Sequence, residues 1–215
     1  MRILVFGHNG YLGGFFTRLA RSQGHSVVTV SSASTDADYV VDMTIEEDVV
    51  RFNPDGQFDG VFFCQGLNPS VGLNAANFKH FVRMYQVNIA APALLIRQLL
   101  PKLSARGTVL FLGSSAVRRG SYDPAYGSCK AALTGLINSL ARYHPQHRFN
   151  LISLALVQGS PVSQGMPEER RAQHATAMFG TNLVDPEGVA RLALEILVNP
   201  NINRAEYPLD GGMAT

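Results

Sequence analysis

A chain of 215 residues, 46% of them hydrophobic, can bury one sizeable core, and its length favours a single domain over 1–215. A formal net charge of +2, with Lys and Arg dispersed along the chain, excludes the basic face that binds nucleic acid or an anionic membrane surface, so a small-molecule partner is expected. The first apolar run stops at Gly7, too short for a signal peptide, and no membrane-spanning stretch follows. The expectation is a cytoplasmic protein whose Cys64 and Cys129 are reduced, structural thiols, with no metal site.

In chain order, the pattern predicts a strand over 2–6, a helix over 11–23, strands over 26–30 and 39–41, a helix over 45–52 and a strand over 60–64. A long helix over 74–100, a strand over 108–112, a helix over 125–143 and a strand over 149–156 follow. A helix over 187–198 and a short strand near Tyr207 complete the chain. Asp123-Pro124 and Asp185-Pro186 read as helix caps followed by a first-turn proline. The strands are continuous apolar runs rather than alternating ones, which predicts an α/β fold with a parallel, doubly wound sheet flanked by helices on both faces. Residues 159–180, rich in Gly, Pro, Gln and Ser, are expected to form a mobile lid.

The first strand runs into Gly7-His8-Asn9-Gly10-Tyr11-Leu12-Gly13 and then directly into a helix, the context that a dinucleotide site requires. Gly7 permits a tight turn, Gly10 a close approach of the backbone to a pyrophosphate, and Gly13 close packing of helix on sheet. A carboxylate that would hold a ribose 2′-hydroxyl is missing at the end of the second strand, where Ser31 and Ser32 stand. A 2′-phosphate is tolerated there, with His8 as a potential donor, so NADP(H) is favoured over NAD(H), although Asp36 and Asp38 are near.

Tyr126 and Lys130 stand four residues apart at the start of a capped helix and therefore share a face. An ammonium beside a phenol favours the phenolate, so Lys130 is expected to lower the pKa of Tyr126 and let it exchange a proton near neutral pH. Gly113-Ser114-Ser115 follow a predicted strand at the end that lines the ligand crevice of such sheets, and a serine hydroxyl there can bond a substrate oxygen as charge develops. Pro92 lacks an N–H and its ring clashes with the carbonyl of Asn88, predicting a kink in the long helix there.

With these motifs the chain resembles the short-chain dehydrogenase/reductase family over nearly its whole length, which implies a Rossmann-type domain that assembles into homodimers or homotetramers. The resemblance implies a catalytic tetrad of Ser114, Tyr126, Lys130 and Asn88, the carbonyl of Asn88 holding a water in a proton relay. It further implies that Asp42, with Met43 beside it, meets the adenine, and that Val157 contacts the carboxamide through its backbone. Two departures stand out: Cys64-Gln65-Gly66 replaces the family's Asn-Ala-Gly, and Leu154-Ala155 replaces its Pro-Gly. The implied reaction is hydride transfer between the nicotinamide and a small-molecule carbonyl or alcohol carbon. A non-catalytic dinucleotide sensor and a nucleotide-sugar epimerase or dehydratase are the alternatives.

Other residues are expected to be structural. His144 and His147 read as solvated or capping residues. Arg118 and Arg119 follow Ser114 closely enough to meet an anionic substrate group, yet arginines are mostly exposed and surface solvation is the default. Met166, Met178 and Phe179 are read as packing residues of the lid.

Overall fold

The computed structural model describes residues 1–33 and 36–213. Its strands are β1 (Arg2–Phe6), β2 (Ser26–Ser31), β3 (Tyr39–Val40), β4 (Phe58–Phe63), β5 (Leu103–Ser114), β6 (Arg148–Leu154) and β7 (Glu206–Leu209). All pair in parallel, in the order β3-β2-β1-β4-β5-β6-β7. The helices are α1 (Tyr11–Ser22), α2 (Glu46–Arg51), α3 (Phe78–Tyr85), α4 (Ala91–Leu99), α5 (Ala116–Arg119), α6 (Pro124–Tyr143), α7 (Pro161–Gln164), α8 (Glu168–Thr176) and α9 (Pro186–Val198). No helix among the described residues is long and apolar enough to cross a membrane.

The sheet has two covered faces because alternate residues of each strand point opposite ways. Ile3 and Val5 of β1 pack with Phe16 and Ala20 of α1 and with Val189, Ala193 and Leu197 of α9. Leu4 and Phe6 face the other way, into a core completed by Leu95 and Leu99 of α4 and Leu133 and Ile137 of α6. On that second face Phe6, Phe63 and Phe111 occupy neighbouring register positions on β1, β4 and β5. Their rings stack at centroid distances of 4.6 and 5.0 Å. This aromatic ladder stiffens the sheet where the strand order reverses between β1 and β4, the place at which a doubly wound sheet opens a crevice.

The cap-plus-proline signals hold. Asp123 accepts from the N–H groups of Ala125 and Tyr126 at the start of α6, and Asp185 accepts from Glu187 and Gly188 at the start of α9. The predicted helix over 74–100 is divided. Between α3 and α4 lies a single π turn, Gln86–Ala90, in which the Ala91 N–H reaches back five residues to the Gln86 carbonyl. Pro92 explains the break, since it has no N–H to continue the α-helical ladder. The Asn88 side chain enters the irregularity, donating from Nδ2 to the carbonyls of Met84 at 3.0 Å and Leu67 at 3.3 Å.

β5 is longer than the predicted 108–112 at both ends, so Ser114 is its last residue and not the first of a turn. Residues 159–180 are not a plain loop, since they contain α7 and α8. Met178 is buried beneath Gly211, while Phe179 is 92% exposed. His147, expected to be solvated or capping, is instead buried at 6% exposure, because the turn after α6 folds it under the start of β6.

Candidate active site

A cleft of about 890 Å³ opens at the carboxyl ends of the strands. Its lining includes Gly7, Asn9, Gly10, Tyr11 and Leu12 after β1, Ser31 and Ser32 at the end of β2, Asp42 and Met43 after β3, and Cys64, Gln65 and Gly66 after β4. Ser114 of β5, Tyr126 and Lys130 of α6, and Val157 after β6 line it as well. Of the residues singled out by sequence, His8, Gly13 and Asn88 are not on its surface.

Gly13 acts from beneath. A Cβ at this position would lie 2.0 Å from the carbonyl oxygen of Gly7, so only glycine lets α1 begin this close to the turn. Gly7 itself has φ +79°, in the left-handed region that favours glycine. The first turn of α1 has no side-chain cap and no acidic residue, so its N–H groups and the positive end of its dipole face the cleft.

His8 departs from expectation. Burial, then the Arg21 charge, hold its pKa below the usual histidine value, and its Nε2 is buried without a partner. Its electrostatic neighbours are Arg21, Asp38 and Asp36, which lie outside the cleft lining. Asp38, for its part, accepts from the hydroxyl of Thr29 at 2.7 Å and from its N–H at 2.8 Å. Those two bonds hold its pKa down and commit the carboxylate to the Thr29 end of β2.

The other end of the cleft gathers Ser114, Tyr126 and Lys130. The Ser114 hydroxyl lies close enough to the Tyr126 phenol to favour its phenolate form, and Ser114 Oγ accepts from the Ala116 N–H at 3.2 Å. Lys130 is 5% exposed, and its Nζ donates to the Leu112 carbonyl at 2.8 Å while lying 5.9 Å from the Tyr126 ring centroid. Burial depresses the Lys130 pKa to about 8. The phenol moves opposite to expectation: burial raises its pKa, and the nearby Ser114 hydroxyl offsets this only in part. Lys130 points at a backbone carbonyl rather than at the phenolic oxygen, so its charge does not provide the expected lowering. Across the site, a Cβ on Gly66 would touch both Lys130 Nζ at 3.6 Å and Asn88 Oδ1 at 3.7 Å, and Asn88 Oδ1 is buried without a partner. Cys64 Sγ donates to the Phe6 carbonyl at 2.9 Å, and burial pushes its pKa to about 12, leaving an inert thiol.

A family model described as enoyl-(acyl carrier protein) reductase matches residues 12–214. The chain belongs to the short-chain dehydrogenase/reductase family. It is therefore an NAD(P)-dependent oxidoreductase. No curated protein sequence matches it significantly. Among solved structures it is similar to a short-chain dehydrogenase/reductase of Brucella melitensis described as a glucose/ribitol dehydrogenase, at TM-score 0.89 and 18% identity, covering 100% of this chain and 96% of that one. A short-chain dehydrogenase family protein of Francisella tularensis gives TM-score 0.86 at 19% identity, covering 99% and 98%. The protein BdcA, solved in complex with NADPH, gives 0.85 at 21%, covering 98% and 93%. At these identities the likeness is one of fold.

The enzyme's cleft fits the nicotinamide cofactor that the family uses. The uncapped start of α1 suits a pyrophosphate, and Ser31, Ser32, Asp42 and Met43 surround the space beyond it. Sequence reasoning missed several residues around the site. Asp123 was visible as a cap, but its bonds to His80 Nε2 at 3.0 Å and to the Val71 N–H at 3.1 Å span 43 and 52 residues. Burial alone would raise the Asp123 pKa, yet the bonds from His80, Tyr126 and Val71 outweigh it and hold it low. Arg119, Arg170 and His174 also line the cleft, whereas Arg118 turns to Glu206 at 3.3 Å. Of the adjacent arginines expected at the surface, one therefore faces the site.

Proposed function

We propose that the enzyme is an NADP(H)-dependent carbonyl reductase or alcohol dehydrogenase for a small-molecule substrate, with Tyr126 as its general acid and base. The observation that carries this reading is the juxtaposition of the Ser114 hydroxyl and the Tyr126 phenol on the wall of the cleft, with Lys130 buried one turn further along α6. Bound NADP(H) supplies or accepts the hydride. Ser114 holds the substrate oxygen, and Tyr126 delivers its phenolic proton to that oxygen as the carbonyl becomes an alcohol. A raised phenol pKa keeps Tyr126 protonated at neutral pH, the form needed for reduction.

Lys130 is placed to hold the nicotinamide ribose. Lys130 Nζ and the unpartnered Asn88 Oδ1 both face Gly66, which supports a proton route from the site through the π turn. Val157 adds backbone contacts, and residues 159–180 close over the substrate. Preference for NADP(H) is supported by the serines ending β2, by the commitment of Asp38 to Thr29, and by the NADPH held by BdcA.

Exposed apolar residues on α3 and α6, namely Phe78, Val82, Tyr85 and Tyr143, support association into a homodimer or homotetramer. The free Cys64 and Cys129 suit the cytoplasm. The test is Tyr126→Phe, assayed by NADPH oxidation with a panel of ketones and aldehydes. Turnover should fall about a thousandfold or more with cofactor binding retained. Undiminished turnover would sink the assignment, and cofactor binding without any turnover by the wild type would point to a sensor.

A further inference from the structure

Arg119 follows Ser114 by one short helix, α5, and its guanidinium rests against the Met213 sulfur. Arg170 comes from α8 on the opposite side and stacks its guanidinium over the Tyr122 ring at 5.3 Å, four residues before Tyr126. Both charges act on His174, one turn along α8 from Arg170, whose pKa is lowered first by burial and then by these two arginines. The Nδ1 of His174 is buried with no partner. All three side chains line the same cleft as Ser114 and Tyr126.

This concentration of positive charge is not neutralised locally. Among the described residues neither Arg119 nor Arg170 forms an ion pair, although the adjacent Arg118 and Arg171 do. Among the described residues, the only carboxylates lining the cleft are Asp42 and Asp123. Asp42 holds the N–H and hydroxyl of Thr44, and Asp123 is fastened to His80 and to backbone N–H groups. Unpaired guanidiniums converging from two elements on a ligand cleft are the arrangement that receives a planar or tetrahedral anion.

We infer that the substrate carries, beside its reacting carbonyl or alcohol, an anionic group, carboxylate or phosphate, received by Arg119 and Arg170 with His174 as a third partner. This deepens the carbonyl-reductase reading and rests on it for the reacting group. The anion fixes which end of the substrate enters beneath α8, and so which oxygen is presented to Ser114 and Tyr126.

The test reads binding first and turnover second. Protein saturated with NADP⁺ is titrated by calorimetry with pyruvate and levulinate, each against its methyl ester, and with dihydroxyacetone phosphate against dihydroxyacetone. The anionic member of at least one pair should bind about tenfold or more tighter than its neutral partner, and which pair does so separates carboxylate from phosphate. Arg119→Gln and Arg170→Gln should each erase most of that advantage without weakening the neutral partner. Arg118→Gln, which removes the same charge outside the cleft, should not. Equal binding within every pair, no binding by any anion, or equal weakening by all three variants overturns the inference. An anion that binds through Arg119 and Arg170 but belongs to a carbonyl never reduced leaves the anion site standing and refutes the reductase reading. Reduction of neutral ketones alone does the reverse.

Discussion

Replacing Asp123 with Ala removes an acceptor that serves two parts of the chain at once. Its carboxylate, 1% exposed, caps α6 through the N–H groups of Ala125 and Tyr126. It also holds Val71 and His80 from outside the helix. Loss of an N-cap costs about 1 kcal/mol. Leaving the Val71 N–H and the His80 ring without their buried acceptor adds roughly 1–3 kcal/mol. The expected total of about 3 kcal/mol should lower Tm by roughly 6–12 °C for a chain of this size.

Asp123→Asn keeps a capping oxygen and gives up the charge-assisted bond to His80, so it should lose only about 1 kcal/mol. The sign with pH follows from the lowered folded-state pKa. The advantage of wild type over the Ala variant is fully present above the unfolded carboxylate pKa, near ~3.9, and shrinks as pH falls through the lower folded value. Urea denaturation at pH 7 and at pH 3 measures both effects. An Ala variant within about 1 kcal/mol of wild type, or a difference that widens as the pH drops below 4, would refute the reasoning. Since Tyr126 is one of the capped residues, kcat should fall with the Ala variant more than with the Asn variant.

Four further outcomes are expected. Gly13→Ala drives a methyl group into the Gly7 carbonyl, so it should destabilise the protein by roughly 1–3 kcal/mol and weaken cofactor binding in a direct titration, and a neutral effect on both would contradict the packing of α1 on its turn. Ser31→Asp places a carboxylate beside the proposed 2′-phosphate site and should shift the ratio of kcat/KM for NADPH to that for NADH by about tenfold or more towards NADH, whereas an unchanged ratio removes the end of β2 from cofactor selection. With Lys130 titrating near pH 8, kcat/KM for reduction should decline above that pH, and a profile flat to about pH 9.5 would show that its charge is not needed. The same depressed lysine makes stability rise from about pH 8 to about pH 10.5, because over that window the unfolded chain keeps a proton that the folded one has released.

Much of the enzyme is legible in its sequence for local reasons. The order of strands and helices follows from apolar runs broken by turn residues, and the glycine loop declares itself because each glycine answers a steric demand within seven residues. Tyr126, Lys130 and their cap lie within two helical turns of one another. A kink near Pro92 was expected from the missing N–H, although the π turn that divides the helix was not.

Tertiary structure alone decided the rest, because those properties depend on groups far apart in the chain. The phenol's pKa rises, against the local rule for a neighbouring ammonium, since burial acts on Tyr126 while the Leu112 carbonyl draws Lys130 aside. His8 leaves the cleft although it sits inside the glycine loop. Asp123 acquires His80 and Val71, and Arg119 acquires Arg170 and His174, through folding that no spacing in the chain encodes. Sequence separation specifies which backbone turns are possible, whereas burial and electrostatic company are set by what the sheet brings together.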